Sequence, residues 1–409
     1  MQLLPRSVGQ PEMLDRHTFP DEVVDAFRSN FGRRPRVIVR APGRVNLLGA
    51  HVDYNDGWVM PAAIDRAVWL AAAPGTGREL RAAALDFGEE ARLDLDRLPP
   101  PMPQRKTGTP DRLAHGWIDY PAGVAWALSQ AGHRPAAMDV AYASDVPIGA
   151  GVSSSAAVEV AFLLAWRELG LDLDDAAVPG LGRRAENGYL GVQSGIMDQF
   201  ASLNGAEGHA VFLDCRHLTC ELLPLPRTAV LVADSGVRRQ LAASGFNDRP
   251  RECRQAIEIL RRSLPGIRAL RDVSAADFEL HSHRLPIDLR RRARHVIEEC
   301  RRVREGAEAL RRGDLDAFGL LVRHSHVSSR DLYEVSIPEL DVLAAAAWAA
   351  EGCYGARLTG GGFGGCVAAL VDSSSAAAVG AAMAAAFEEE LGRPPPIFVC
   401  RAAAGAEVL

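Results

Sequence analysis

Residues 147–157 read Pro147-Ile148-Gly149-Ala150-Gly151-Val152-Ser153-Ser154-Ser155-Ala156-Ala157, between a strand-like run and a long apolar helical pattern. Small residues let backbone N–H groups close around an anion, and a helix beginning near Ser154 would add the positive end of its dipole. The segment reads as a phosphate cradle, with a Ser/Gly helix cap as the plain alternative. The lysine-based cradle is excluded by composition. Of 46 Lys+Arg only Lys106 is lysine, and it does not follow the second glycine of a Walker A pattern. Nucleotide phosphates, if this chain handles them, meet a serine-rich loop.

Working outward, 156–169 is apolar nearly all round, the pattern of a buried helix. Upstream, 21–31 has amphipathic helical spacing, and the β-branched run 36–40 ends at the turn signal Ala41-Pro42-Gly43-Arg44. Segments 59–63 and 68–72 read as two strands, 99–110 as an exposed connection and 117–130 as a helix. Downstream, 185–192 reads as a helix end and 210–213 with 229–233 as a strand pair, followed by Arg-rich helix to about Arg312. The chain closes with a strand at 355–358, a glycine loop at 360–365, a strand at 366–371, a helix at 376–391 and a strand at 397–401. For 409 residues two domains are expected, divided as 1–210 and 211–409.

A net charge of −6 without a basic block argues against nucleic acid and favours small-molecule partners. Seven cysteines without a CxxC pair, and an opening without an apolar core, suggest a reducing cytoplasm. The apolar runs 343–350 and 376–387 fall well short of the roughly 20 residues that span a bilayer, so no membrane partner is expected. The chain itself is expected to be a monomer or weak homo-oligomer.

Three further segments carry chemistry. Gly43-Arg44-Val45-Asn46-Leu47-Leu48-Gly49-Ala50-His51-Val52-Asp53-Tyr54-Asn55 crowds hydrogen-bonding side chains between glycines, as a polyhydroxylated ligand requires, although an Asx-rich surface loop would share the composition. Glu186 and Asp198 flank a glycine-containing stretch; phosphoryl transfer needs one carboxylate for Mg²⁺ and one for the acceptor's proton, whereas a lone Asp at a helix start is often a cap. Thr359-Gly360-Gly361-Gly362-Phe363-Gly364-Gly365 lies between strand patterns and reads as a fixed loop closely approached by another backbone, rather than a linker. His281-Ser282-His283 and His324-Ser325-His326 lack the partners of a metal site.

In this order, and with Gly188-Tyr189-Leu190-Gly191, Tyr333-Glu334-Val335-Ser336-Ile337-Pro338-Glu339-Leu340-Asp341 and Gly355-Ala356-Arg357-Leu358-Thr359, these segments resemble the GHMP kinases, specifically the galactokinase subfamily. The resemblance implies an α/β (α+β) two-domain protein: an N-terminal mixed-sheet domain with the phosphate loop, and a ferredoxin-like C-terminal domain across a cleft. It implies ATP, Mg²⁺ and transfer to the anomeric hydroxyl of a galactose-configured sugar. By position it assigns Asp198 as base and Arg44 as its cationic partner. Gly149, Gly151, Ser153, Ser154 and Ser155 would hold the nucleotide, with Ser155 and Glu186 on the metal. Arg44, Ala50, His51, Asp53, Gly195, Asp198 and Phe246 fall at sugar positions.

Two residues depart from the subfamily pattern, which has Glu at the position of Ala50 and Tyr at that of Phe246. Loss of a carboxylate near C6 removes one acceptor for galactose and removes repulsion against a uronate. D-galacturonate is therefore the expected substrate, ahead of D-galactose and L-arabinose. The competing readings are a sugar- and ATP-binding regulator, and another GHMP activity such as a mevalonate or homoserine kinase.

Overall fold

The computed structural model describes residues 19–102, 116–147, 149, 151–238 and 245–409. Lys106 and most of the 99–110 connection lie outside them. Helix α1 (Phe19–Phe31) precedes strands β1 (Val37–Leu48), β2 (Trp58–Pro74), β3 (Glu79–Ala84) and β4 (Glu89–Asp94). Then come α2 (Asp119–Gln130), β5 (Met138–Ser144), α3 (Ser154–Glu168), α4 (Val178–Arg184), α5 (Met197–Asn204), β6 (His209–Asp214) and β7 (Thr219–Pro224). The remainder comprises β8 (Thr228–Asp234), α6 (Asp248–Leu260), α7 (Ala275–His281), α8 (Ile287–Arg311), α9 (Leu315–Asp331) and α10 (Pro338–Ala349). It ends in β9 (Cys353–Thr359), β10 (Cys366–Asp372), α11 (Ala376–Leu391), β11 (Ile397–Cys400) and β12 (Glu407–Val408).

The first sheet has the order β12-β1-β2-β5-β3-β4, with β6 and β7 attached through β2. It is mixed, because β3 and β5 run parallel while its other pairs are antiparallel. The second sheet, β11-β8-β10-β9, is antiparallel throughout and has the strand order of a ferredoxin-like unit, 4-1-3-2 in its own numbering. Helix α3 is buried on most of its surface, as its all-round apolarity requires, and packs on β1 and β2. Among the described residues no helix is long and apolar enough to cross a membrane.

The turn expected at 41–44 is instead continuous strand. Pro42 has no N–H for the ladder, the β1–β2 register shifts between Pro42 and Arg44, and the Pro42 carbonyl accepts the Ser202 hydroxyl at 2.7 Å. Gly43 is required there, since a Cβ would come within 2.7 Å of the Val152 carbonyl oxygen, which itself accepts the Arg44 N–H at 3.0 Å. The irregularity thus joins β1 to the cradle and delivers Arg44 to the cleft.

The strands expected at 59–63 and 68–72 are one, β2, held through its middle by pairing of Ala67 with Pro42 and a bridge from Ile64 to Ala402. Segments 210–213 and 229–233 do not pair with each other. β6 pairs with β7, an exposed strand without hydrophobic alternation, whereas β8 pairs with β10 and β11. A division at residue 210 therefore cuts the β6–β7 hairpin. Strand pairing changes sheet between Pro224 and Thr228, and β12 returns to the first sheet.

Candidate active site

Gly149, Gly151 and Ser153 all have left-handed backbone (φ 72°, 82° and 61°), after which α3 begins at Ser154. Left-handed residues turn successive N–H groups toward one side, and the first turn of α3 leaves further N–H groups without helical partners. Serine pays roughly 1–2 kcal/mol to sit in this region. The Ser153 hydroxyl donates to Asp198 Oδ2, a charge-assisted bond that offsets part of that strain. Its side chain is therefore turned to the carboxylate, leaving only its backbone N–H for a phosphate.

Asp198 stands in the first turn of α5 and is clamped by Arg44, with Nε to Oδ1 at 2.7 Å and Nη2 to Oδ2 at 2.6 Å. Arg44 Nη1 donates to the Gly151 carbonyl at 2.8 Å, so one guanidinium fixes both the carboxylate and the cradle. A carboxylate offers about four lone-pair sites. Arg44 and Ser153 fill three, leaving one on Oδ1 for an incoming hydroxyl.

Glu186 lies on a π turn (Ala185–Leu190) that follows α4, an irregularity common where a helix must present a functional group. It accepts from Ser155 Oγ at 3.1 Å and from Ser194 Oγ. Burial and the nearby Asp198 raise its pKa.

Beyond Asp198 the cavity is walled by His51, Asp53, Tyr54, Gly195 and Phe246. Burial and the charge of Asp198 raise Asp53 to about 6. A Cβ on Gly195 would lie 2.0 Å from Asp53 Oδ2, so glycine is what lets that carboxylate reach the cavity. His51 Nδ1 pairs with the Tyr54 hydroxyl at 2.7 Å, and its ring tilts on Phe246 at 5.6 Å. All these groups, the cradle, Glu186, Gly360 and Gly361 line one cavity of about 420 Å³.

This geometry agrees with what the chain resembles. Its residues 25–74 match the galactokinase galactose-binding signature, 119–206 the GHMP kinase N-terminal domain and 307–389 the GHMP kinase C-terminal domain. A galactokinase of Roseiflexus sp. (strain RS-1) is 46% identical over 386 residues, 94% of this chain and 96% of that protein. The chain belongs to the galactokinase family. It is accordingly an ATP-dependent sugar kinase. The human galactokinase is 42% identical over 85% of this chain and 86% of its own length. The crystal structure of Lactococcus lactis galactokinase complexed with galactose superposes with a TM-score of 0.86 at 32% identity, covering 94% of this chain and 98% of that one. A mevalonate kinase of Methanococcus jannaschii, at 19% identity and TM-score 0.61, shares the fold.

In this kinase Ala50 is buried and, unlike the other expected sugar residues, does not line the cavity. Its backbone is engaged instead, the N–H by Glu299 and the carbonyl by His295. The expectation of a uronate also meets an electrostatic obstacle. Among the described lining residues Arg44 is the one guanidinium, and it is committed to Asp198 and Gly151, while Asp53, Asp86, Glu186 and Asp198 are acidic.

The far lobe of the cavity was not legible in the sequence. Phe87, Trp117, Tyr120, Tyr142, Val158 and Leu190 form an apolar aromatic wall beside the cradle, the kind of surface that stacks a nucleobase. These residues come from five separate segments, and no local pattern marks them. The glycine loop is fixed, as expected: Phe363 N–H bonds the Val335 carbonyl at 2.7 Å and Gly365 N–H the Val237 carbonyl at 3.1 Å. A Cβ on Gly362 would meet the Val335 oxygen at 2.2 Å.

Proposed function

We propose that the kinase transfers the γ-phosphoryl group of ATP to the anomeric hydroxyl of D-galactose. The observation that carries this reading is the open acceptor site on Asp198, at the junction of the phosphate cradle with the pocket of His51, Asp53 and Gly195. The nucleobase would occupy the aromatic lobe and the triphosphate the N–H groups of residues 149 and 151–155. The sugar would sit beyond Asp198, whose free lone pair takes the acceptor's proton as its oxygen attacks phosphorus. Arg44 holds the base in place and lies where negative charge spreads in the transition state.

Ser155 and Glu186 suit Mg²⁺. One hydroxyl and one carboxylate beside a phosphate cradle are a typical donor set for a magnesium ion that also binds substrate phosphates, and a cation would relieve the cost of burying Glu186. When bound, the ion would neutralise charge on the β- and γ-phosphates.

The expectation of D-galacturonate is not supported. The curated relatives matched over more than nine-tenths of this chain are named galactokinase, and the acidic cavity lacks an uncommitted guanidinium among its described lining residues. A C6 carboxylate would meet like charge and lose its hydration without a counter-ion, at a cost of several kcal/mol. With ATP and Mg²⁺, kcat/KM for galactose should exceed that for galacturonate by at least about tenfold, since each 1.4 kcal/mol of discrimination is one decade. Equal or better use of galacturonate would refute the assignment.

A further inference from the structure

The segment Asn46 to His51 leads from Arg44 to the expected sugar contacts, yet its conformation is held from outside. Gly49 and His51 both have positive φ, 95° and 57°, flanking Ala50. Histidine in that region is strained, and such a residue persists only where its surroundings over-determine it.

The surroundings here are buried side chains of the C-terminal half. Glu299 on α8 accepts the N–H groups of Gly49 and Ala50 on the same oxygen, each at 2.9 Å. His295, one helical turn earlier, reaches the Ala50 carbonyl through Nε2 at 3.1 Å. A carbonyl only accepts, so Nε2 carries the proton, and Nδ1 takes the Ser328 hydroxyl at 2.8 Å. On β9, Thr359 Oγ1 accepts the Asn46 N–H at 2.9 Å, and Arg357 donates to the Asn46 carbonyl at 3.3 Å. Glu299 and His295 are both fully buried.

Glu299 is itself held on its remaining sides. Ser325 Oγ donates to the oxygen that grips the two N–H groups, and Arg302 Nε donates to the other at 2.7 Å. Burial would raise its pKa, but Arg302 and its other neighbours outweigh burial and keep it well below the usual carboxylate range. His295 also stacks on Tyr333, with centroids 4.3 Å apart, and Tyr333 lies 4.9 Å from the His51 ring. The clamp on Ala50 is thus continuous with the wall of the cavity.

We infer that Glu299 is a positioning residue for sugar binding, acting through the backbone of Gly49 and Ala50 to hold His51 and Asp53 where the substrate meets them. The inference rests on the assignment of His51 and Asp53 as sugar contacts. It also explains how position 50 serves the site without a functional side chain. Replacing Glu299 with glutamine keeps the shape but offers one acceptor face, so an NH₂ group must oppose either the two N–H groups or Arg302. Replacing it with aspartate keeps the charge but shortens the reach by one methylene.

Galactose and ATP KM values for the full-length wild type, Glu299→Gln, Glu299→Asp and Asp53→Asn test this. Both Glu299 variants should raise galactose KM about tenfold or more, as loss of charge-assisted hydrogen bonds implies, with ATP KM changed less than about twofold. A role in charge balance alone would leave Glu299→Asp near wild type and overturn the inference. Unchanged galactose KM in both Glu299 variants, with a rise in Asp53→Asn, would overturn it while leaving the sugar site standing. No rise in Asp53→Asn would remove the sugar assignment and the inference together. If neither Glu299 variant folds, Ser325→Ala carries the test. Loss of that one bond should raise galactose KM about threefold with ATP KM unmoved, and parallel movement of both constants, or of neither, would overturn the inference.

Discussion

Asp198→Asn lowers turnover by roughly 10²–10⁴-fold, the usual worth of a positioned general base, while ATP affinity changes little. The substitution is nearly isosteric, but an amide is far too weak a base to take the sugar's proton in the role proposed for the carboxylate. It also places an NH₂ group opposite either Arg44 Nε on one side, or Arg44 Nη2 and Ser153 on the other. The cradle's backbone does not depend on the carboxylate's proton affinity, so nucleotide binding by calorimetry should survive. Near-normal turnover would show that Asp198 is not the base. A parallel collapse of ATP affinity would show that its pairing with Arg44 mainly builds the cradle.

Gly195→Ala lowers kcat/KM for galactose by about a hundredfold, the penalty typical of a displacement near 1 Å in a reacting constellation. The added methyl would stand 2.0 Å from Asp53 Oδ2 and 2.1 Å from its Cγ, which no side-chain adjustment of a few tenths of an ångström relieves. Either Asp53 leaves the cavity or the segment before α5 shifts and carries Asp198 with it. The first outcome moves KM alone; the second lowers kcat as well. The backbone at Gly195 does not itself demand glycine, because its φ is not among the positive values, so the effect is steric. A kcat/KM for galactose within threefold of wild type would refute the close approach.

Much of the site was legible in the sequence because the chemistry lies in short contiguous motifs. The cradle and the motifs around Arg44 and Asp198 are short, and the structure brings them together with Ser155 and Glu186, which are 31 residues apart and are paired in the sequence only by the family resemblance. What was illegible depends on distant strands and helices. Arg44 reaches the cleft through a register shift that only the pairing of β1 with β2 creates, and its Pro-Gly signal reads locally as a turn. Glu299 and His295 lie on α8, whose apolar stripe of Ala293, Val296, Cys300, Val303, Ala307 and Leu310 is plain in the sequence, yet Arg292, His295, Glu299 and Arg302 are buried beside it. The stripe marks the packed face, but nothing local distinguishes the charged residues buried along its edge from those left in water. Ala50 is the converse case: its side chain suggests a change of substrate, whereas at that position the backbone is what the fold engages.

In the proposed function Asp198 and Arg44 direct phosphoryl transfer to the anomeric hydroxyl of galactose. The most direct measurement is NMR of the product formed from galactose, ATP and Mg²⁺, reading phosphorus coupling to the sugar protons. Coupling to the proton on C1 and formation of one sugar phosphate per ADP are expected. Phosphate on C6, or ADP release without a sugar phosphate, would contradict it.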